Sequence, residues 1–332
     1  MKVISLHIIL CCLFLNGFTQ QRIVVDQQGH GDYKTIQEAI NSLTDLSSTQ
    51  RIVFVKNGSY NEKLLIEKSN LLIVGESREK AIITQSISRD EFRCDHADDW
   101  GVATVNVNGN DVTLKDLTIV NNYGFEFKAE KTIPCVNDTL NHEKKITKTG
   151  HQMALRTMKA TRFAAFNCTF SSFGGDTVSP WNVDNGFFYF KNCKIEGGVD
   201  LYCPRGWAWA EDCEFYAYNA SAIIWHDGSK HQESISVLNN CFFDGYKNFF
   251  LGRYHRDAQM LLMNCKFSKN MRDSAIYHVP SAKETNWGHR IYYKNCEKEG
   301  GDFAWYKNNT EIDFQPSIEN LKKWIETVSK NQ

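Results

Sequence analysis

Two aspartates in the second half of the chain each follow a pair of glycines. Asp176 comes directly after Gly174–Gly175, and Asp200 lies two residues after Gly197–Gly198. Two carboxylates held close together resist joint ionisation, so the pKa of one of them rises. Such a pair can supply an acid and a nucleophile at neutral pH. An aspartate after two glycines is also ordinary turn chemistry, so the interpretation depends on whether the fold brings the two together.

A short pattern recurs around these aspartates, and its cysteines mark equivalent positions in successive repeats. We call this set of reference positions the ruler. A polar residue, a cysteine, one further residue and then, in five of six copies, an apolar residue repeat, with cysteines 25, 20, 28, 24 and 31 residues apart. A repeat of this period indicates a solenoid. The copies are Asn167–Phe170, Asn192–Ile195, Asp212–Phe215, Asn240–Phe243, Asn264–Phe267 and Asn295–Lys298.

The ruler predicts that the two aspartates are neighbours in space. Asp176 lies 8 residues after Cys168, and Asp200 lies 7 residues after Cys193. The two offsets differ by one residue, so the aspartates lie in nearly the same position of adjacent coils, which stack about 4.8 Å apart. We therefore expect the two carboxylates to lie within several ångströms of each other.

The same repeat predicts the fold class. Each cysteine and the residue two positions later point the same way in a strand, and the residue between them is polar in most copies. Similar stretches occur at 51–55, 70–74 and 112–120. One short strand per repeat, stacked in parallel, makes an all-β right-handed parallel β-helix.

Such a stack needs caps, and two amphipathic segments could supply them. We predict an N-terminal capping helix over 35–43 and a C-terminal helix over 318–328 at the far end. Residues 85–148 are less regular and are predicted to form loops on one side of the stack, where function often resides. The acidic stretch Asp95–Asp99 favours a solvated loop over a cation site.

Composition and the first residues restrict the remaining possibilities. The 332 residues are 42% hydrophobic with a net charge of −1, so no basic face for nucleic acid is indicated. Residues 1–19, with Lys2 before the apolar run Val3–Leu15, resemble a cleaved signal peptide. We expect a secreted or periplasmic protein, with a lipid anchor as the alternative. We also expect one domain over 20–332, no membrane span and a monomer.

Nine cysteines follow this predicted signal peptide. The odd number argues against a complete disulfide framework. Six belong to the repeat, which favours an interior ladder of mostly free thiols. Oxidation of neighbouring rungs and a Cys94–Cys135 bridge remain open for a protein in an oxidising compartment.

Five further motifs, in order along the chain, resemble those of the pectin methylesterases, which are carbohydrate esterases on a right-handed β-helix. Each motif is weak alone, and the five cover residues 31 to about 255. They are Gly31–Ile40, His151–Arg156, Gly174–Thr177, Gly198–Tyr202 and Leu251–Arg253.

The resemblance implies a role for four residues. Asp200 would attack the ester carbonyl, and Asp176 would protonate the departing methanol and then activate water. Arg253 would pair with Asp200, and Gln152 would donate a hydrogen bond to the oxyanion. A surface ion pair for Arg253 and a solvated polar side chain for Gln152 are the plainer alternatives. The resemblance implies no cofactor and no metal.

The sequence departs from the family at two places. The family's second oxyanion glutamine is replaced by Gly175, and the pair after its arginine is replaced by Tyr254–His255. Replacement groups for sugar contact are expected among aromatic residues, for which plain packing is the alternative. The residues expected to contact substrate are Gly175, Trp181, Tyr202, Trp207, Trp225, Tyr254 and His255.

These features favour an esterase that removes methyl groups from galacturonate in pectin, either homogalacturonan or a decorated pectic polysaccharide. The alternatives are a pectate lyase on the same scaffold, which would need Ca²⁺ and a base, and a non-catalytic glycan-binding β-helix.

Overall fold

The chain folds into a right-handed parallel β-helix, which confirms the predicted fold class. In this computed structural model, residues 22–281, 285–300, 305 and 315–330 are described. The predicted signal peptide over 1–19 lies outside them. Each full coil contributes strands to as many as three parallel sheets, not the single strand per repeat that the sequence predicted.

The first sheet contains ten parallel strands. Its strands are Arg22–Val25, Arg51–Val55, Leu71–Gly75, Val112–Lys115, Arg162–Phe166, Phe187–Lys191, Trp207–Glu211, Ser236–Asn239, Gln259–Met263 and Arg290–Lys294.

The second sheet contains nine parallel strands, and all six copies of the cysteine repeat lead into it. Its strands are Gly58–Asn61, Ala81–Gln85, Thr118–Asn121, Thr169–Ser172, Lys194–Gly197, Glu214–Ala217, Phe242–Gly245, Lys266–Phe267 and Glu297–Lys298.

The third side of the stack carries the candidate site. It consists of a four-stranded and a three-stranded parallel sheet, which Tyr202 bridges by pairing with both Val178 and Ile224. The strands are Leu64–Ile66, Val105–Val107, Leu155–Thr157, Val178–Ser179, Ala222–His226, Phe250–Tyr254 and Tyr277–His278.

The cysteine repeat forms the corner between the first two sheets. Its Asn or Asp adopts the left-handed backbone conformation, with φ between 49° and 54° in all six copies, which these two residue types tolerate best after glycine. The cysteine behind each corner is buried, except for a half-buried Cys296. Residues after consecutive cysteines pair from Thr169 and Lys194 through to Glu297, so the ruler is confirmed.

The N-terminal helix α1, Ile36–Ser42, was correctly predicted. Thr35 caps it by accepting a hydrogen bond from the Glu38 N–H, and Ile36, Ala39 and Ile40 are buried in the core.

The C-terminal helix α4, Gln315–Lys330, exists but does not cap the far end. Its Ile318 and Leu321 pack with Phe166, Tyr189 and the outward-facing residues of the first sheet. The helix thus covers an apolar outer face along the side of the stack.

An insertion stands beside the third side of the stack. It contains helix α2, Arg89–Asp95, the four-residue helix α3, Tyr123–Glu126, and an antiparallel hairpin of Lys131–Pro134 and Glu143–Ile146. A disulfide joins Cys94 to Cys135 and so links α2 to the hairpin. The other cysteines in the described ranges are free thiols.

Candidate active site

The two aspartates lie in adjacent coils, as the ruler predicted. Gly175 pairs with Val199, and the Asp176 N–H donates to the Val199 carbonyl at 3.2 Å. Both aspartates are buried and both adopt the left-handed conformation, with φ of 52° at Asp176 and 48° at Asp200. Non-glycine residues in this conformation are costly and cluster at functional sites.

The glycines before them allow the coils to approach closely. A Cβ on Gly198 would lie 1.9 Å from the Phe173 carbonyl oxygen, and one on Gly174 would lie 2.0 Å from that of Gly150. Gly175 is different, because the nearest atom to its added Cβ would be the Val199 carbonyl oxygen at 3.6 Å. A side chain therefore fits at Gly175, and no tight contact of this kind requires glycine there.

Arg253 holds Asp200 by a bidentate ion pair. Its Nε donates to Oδ1 at 3.0 Å and its Nη2 to Oδ2 at 2.6 Å. Burial raises the pKa of Asp200, the Arg253 guanidinium opposes this, and the charge of Asp176 adds to the rise, so the pKa lies above its ordinary value. Arg253 fixes the orientation of a carboxylate that keeps 10% of its side-chain surface exposed and so stays reachable.

Asp176 has a different environment. Its carboxylate accepts hydrogen bonds from Ser179 Oγ and Cys203 Sγ, both at 3.2 Å, and lies 3.8 Å from His151 Nε2. Burial acts to raise the pKa of Asp176, but the charges of His151, Arg205 and Arg156 outweigh it and hold that pKa below its ordinary value. Of the two carboxyls, Asp200 is therefore the one with the raised pKa.

Gln152 does not face this site, which corrects the sequence-based prediction. Its amide donates to the Lys148 carbonyl at 2.5 Å, and its Oε1 accepts the Gly124 N–H at 2.8 Å. The side chain is fully buried, and it is not among the residues that line the cavity beside Asp176. The neighbouring His151 faces Asp176 instead, because consecutive residues of an extended segment point to opposite sides.

The predicted substrate contacts separate into two groups. Trp181, Trp225 and His255 line a cavity of about 500 Å³ that also contains Asp176 and His151. Tyr202 and Tyr254 are buried in the main core and cannot stack on a sugar.

Trp207 is also displaced from the site. It lies in the first sheet and packs in the cluster under α4, with its ring beside that of Phe187. The plain packing alternative is therefore correct for Trp207, as it is for the two tyrosines.

Sequence reasoning missed the positively charged wall of the cavity. Four arginines line it, Arg89 and Arg93 from α2, Arg156 and Arg205. The ruler contained a signal for one of them, because Arg205 lies five residues after Asp200 and Trp181 lies five residues after Asp176. These two residues do pair across the coils.

Asp99 is the second correction in this region, since the acidic stretch was predicted to be solvated. It is buried at this wall, where its carboxylate pairs with Arg89, Arg93 and Arg156. Within the described ranges, no group of three or more His, Cys, Asp or Glu side chains is arranged to hold a metal ion.

Comparison with known proteins agrees with the sequence resemblance. A family model described as Pectinesterase matches residues 22–163. A pectinesterase from Petunia integrifolia is 29% identical over 308 residues, covering 86% of this chain and 73% of that protein. The chain is therefore similar to pectinesterases over most of its length. Pectinesterase A from Dickeya chrysanthemi is 34% identical over 124 residues, which cover 36% of this chain and 33% of that protein.

Solved structures support the parallel β-helix fold of this chain. A pectin methylesterase from Aspergillus niger has a TM-score of 0.69 at 22% identity and covers 92% of this chain and 96% of its own. The pectin methylesterase from carrot has a TM-score of 0.66 at 21% identity, covering 85% of this chain and 84% of its own. The likeness therefore extends over most of the β-helix.

The chain is shorter than some relatives of the family. It spans 57% and 36% of the lengths of two Arabidopsis thaliana relatives, to which it is 29% and 25% identical. None of the helices in the described part of the chain has both the length and the apolar character needed to cross a bilayer.

Proposed function

We propose that this chain hydrolyses methyl esters of galacturonate residues in pectin and releases methanol. The observation that carries the proposal is the pair of stacked aspartates, one held by a bidentate arginine and the other facing a cavity. A fold neighbour, a pectin methylesterase at 19% identity, has been solved in complex with a hexasaccharide, which supports a polysaccharide substrate.

Asp200 is the nucleophile in this proposal. One carboxylate oxygen forms a bond to the ester carbonyl carbon, and the carbonyl oxygen becomes an oxyanion. When the oxyanion collapses, the bond to the methoxy oxygen breaks and leaves an acyl-enzyme anhydride on Asp200. Arg253 keeps the carboxylate oriented for attack through its two hydrogen bonds.

Asp176 moves the protons. It gives its proton to the departing methoxy oxygen, which leaves as methanol, and then takes a proton from the water that attacks the anhydride. Water attack releases the free galacturonate and regenerates Asp200. Because the pKa of Asp176 is held low in the free protein, Asp176 must take up a proton before the first step.

His151 is the candidate donor for the oxyanion in place of Gln152. It is a polar side chain at the cavity wall, it lies 3.8 Å from Asp176, and it pairs through its backbone with Gly175. Nε2 carries a hydrogen in one neutral tautomer of histidine and in the imidazolium, and in both forms it can donate a hydrogen bond to the oxyanion. It thus takes over a function that neither Gly175 nor Gln152 supplies.

The proposal is tested by measuring methanol from methyl-esterified pectin and homogalacturonan, with unsaturated product followed in parallel and with chelator present or absent. We expect methanol that is insensitive to chelator. Unsaturated product that disappears with chelator would favour the lyase, and pectin binding without either product would favour the glycan-binding protein.

The remaining sequence-based expectations belong to the same proposal. We propose one β-helix domain over 20–332 that acts as a secreted or periplasmic monomer after removal of residues 1–19. The mature N-terminus, sequenced from protein recovered outside the cytoplasm, tests the cleavage. Sedimentation equilibrium tests the monomer.

A further inference from the structure

Two small polar side chains contact the carboxylate of Asp176 from inside the coils. Ser179 and Cys203 come three residues after Asp176 and Asp200, so they share one offset in adjacent coils. The two residues that precede them pair across the coils, which makes Ser179 and Cys203 neighbours. Both are fully buried, and the ester chemistry described above uses neither.

Cys203 lies between the two aspartates. Its Sγ is 3.2 Å from Asp176 Oδ1 and 3.0 Å from the Asp200 carbonyl oxygen. Burial and the charge of Asp176 raise the pKa of this thiol well above its ordinary value, so the thiol keeps its hydrogen. A protonated thiol can donate that hydrogen to a carboxylate. Cys203 therefore connects the side chain of one aspartate to the backbone of the other.

Ser179 contacts the other oxygen of the Asp176 carboxylate, and the direction of its hydrogen bond is fixed. Arg156 Nη1 lies 2.7 Å from Ser179 Oγ. A guanidinium has donors only, so Oγ accepts the hydrogen of Arg156. The hydroxyl's own hydrogen is then free to be donated to Asp176 Oδ2, which is 3.2 Å away.

Arg156 is itself held in place on the neighbouring strand. It pairs with Ser179 in register, and only 7% of its side-chain surface is exposed. Its Nη2 lies 3.3 Å from Asp99 Oδ2, and its guanidinium carbon lies 4.7 Å from the Trp181 ring centroid. A chain of polar contacts therefore runs from Asp99 through Arg156 and Ser179 to Asp176. Buried networks of this kind restrict the movement of the side chains in them.

We propose that Ser179 and Cys203 hold the Asp176 carboxylate at one angle, with one donor on each oxygen; we call this pair the Asp176 clamp. The inference rests on the proposed function, in which Asp176 gives a proton to the methoxy oxygen and takes one from water. Each carboxylate oxygen keeps a second lone pair for these transfers, and the clamp fixes its direction. Ser179 and Cys203 are positioning residues, because they act through Asp176.

Variants that remove or retain each donor test the clamp by methanol release. Cys203→Ala and Ser179→Ala should each lower kcat about tenfold with KM unchanged. Cys203→Ser and Ser179→Cys, which retain a donor, should recover most of the rate. Cys241→Ala is the matched control, because Cys241 is a similarly buried cysteine whose Sγ contacts only the backbone in the core. Wild-type kcat in both alanine variants, or a change in KM alone, overturns the clamp and leaves the esterase proposal standing.

The pH profile of kcat/KM separates positioning from packing. Burial acts to raise the pKa of Asp176, whereas nearby cations and the Cys203 hydrogen bond lower it. Cys203→Ala should therefore move the acid limb, which follows the lower of the two aspartate pKa values, to higher pH, and Cys203→Ser and Cys241→Ala should not. An acid limb that stays in place in Cys203→Ala overturns the role of Cys203. The charged groups that face Asp176 are kept in every variant; they are His151, Arg156, Arg205 and Asp200.

An infrared measurement tests the clamp without turnover. The S–H stretching band of Cys203 is isolated as the difference between the wild type and Cys203→Ser, and likewise between Asp176→Asn with and without Cys203→Ser. The band should move to higher frequency in Asp176→Asn, because an amide is a weaker acceptor than a carboxylate, and stay in place in Asp184→Asn. A band that does not move in Asp176→Asn shows that the thiol donates to the Asp200 carbonyl alone, which overturns the inference whether or not methanol is released. A shifted band without methanol from any ester rejects only the esterase.

Discussion

At the scale of single residues, the site depends on how differently two aspartates in equivalent positions are surrounded. Asp200 is engaged by one arginine through two hydrogen bonds, whereas Asp176 receives a thiol, a hydroxyl and a nearby imidazole. Equivalent backbone positions therefore carry different chemistry. The difference comes from the side chains that neighbouring coils direct at each carboxylate.

Both aspartates should be essential for methanol release. Asp200→Asn removes the nucleophile and Asp176→Asn the proton carrier, so each should lower kcat by roughly a thousandfold or more, while pectin binding is retained. Asp184→Asn is the matched control, because Asp184 is exposed and its carboxylate pairs with Lys230 in a loop. Wild-type turnover in Asp200→Asn or Asp176→Asn would show that the chemistry occurs elsewhere.

The kcat/KM profile against pH should reflect the same pair as a unit. The active form of the pair carries one proton, held on Asp176 while Asp200 is ionised, so activity falls in acid when the pair gains a second proton and falls in alkali when the pair loses its only proton. Asp176 has the lower pKa of the two and so dominates the acid limb. Arg205 lowers that pKa, so Arg205→Gln should move the acid limb to higher pH. Arg22→Gln, on the first strand and away from the cavity, should leave the acid limb in place. A flat profile between about pH 4 and 8 would contradict the dyad, because the raised pKa of Asp200 puts its titration above the ordinary aspartate value of about 3.9.

His151 should supply a hydrogen bond that a glutamine can replace. His151→Ala should lower kcat by roughly a hundredfold, in line with the loss of one oxyanion donor, and His151→Gln should recover most of it. Gly175→Gln in the His151→Ala background should restore part of the rate, because the space at Gly175 admits a side chain. Full activity in His151→Ala would exclude this role.

At the scale of elements, the inserted helix α2 controls two of the four cavity arginines. Its first residue, Arg89, donates its N–H to the His151 carbonyl at 2.9 Å, and its Cys94 is bonded to Cys135 beside the hairpin. The helix is therefore tied to the site at its start and to the insertion at its end. Its position determines where Arg89 and Arg93 meet Asp99.

Breaking the Cys94–Cys135 disulfide should make the positions of Arg89 and Arg93 less fixed and leave the two aspartates in place. The double variant Cys94→Ser and Cys135→Ser should raise KM for methyl-esterified pectin about three- to tenfold, because Arg89 and Arg93 of this helix line the cavity, and should leave kcat near wild type. The free energy of unfolding should fall by roughly 2–4 kcal/mol, as for other disulfides. Mild reduction of the wild type should reproduce the KM change, and an unchanged KM in both would show that α2 holds its place alone.

At the scale of the whole molecule, repetition is what makes the β-helix stable. Each coil buries apolar side chains against the same positions of its neighbours, as Phe215 does by stacking on Phe243 with ring centroids 4.8 Å apart. The cysteines form a parallel ladder of small buried side chains beside these rings. The core therefore depends on a few positions used many times.

Truncating one of these stacked core side chains should have a large effect on the free energy of unfolding. Phe215 is 1% exposed, so Phe215→Ala should destabilise the fold by about 3–5 kcal/mol through lost burial and a cavity. Tyr216→Ala is the matched control on the same strand, because Tyr216 is 39% exposed and should cost within about 0.5 kcal/mol. Urea denaturation followed by fluorescence measures both, and equal midpoints would contradict the stacked core.

The sequence alone was sufficient to predict the fold and to place Asp176 beside Asp200. The physical reason is that a β-helix advances by a constant rise per coil, so residues at nearly equal offsets from a repeated residue become neighbours in space. Arg253 was predicted from motif resemblance, and its ion pair with Asp200 is observed. Its catalytic role stays a prediction.

Only the tertiary structure decided which side chains face the cavity. His151 and Gln152 are adjacent in sequence, yet the alternation of an extended backbone turns one toward Asp176 and buries the other. Arg89 and Arg205 are more than a hundred residues apart, and an irregular insertion with no repeat brings them to one wall. Within the repeat, the position of a residue in space follows from its offset along the sequence. In the insertion, which lacks the repeat, three-dimensional packing determines which side chains reach the site.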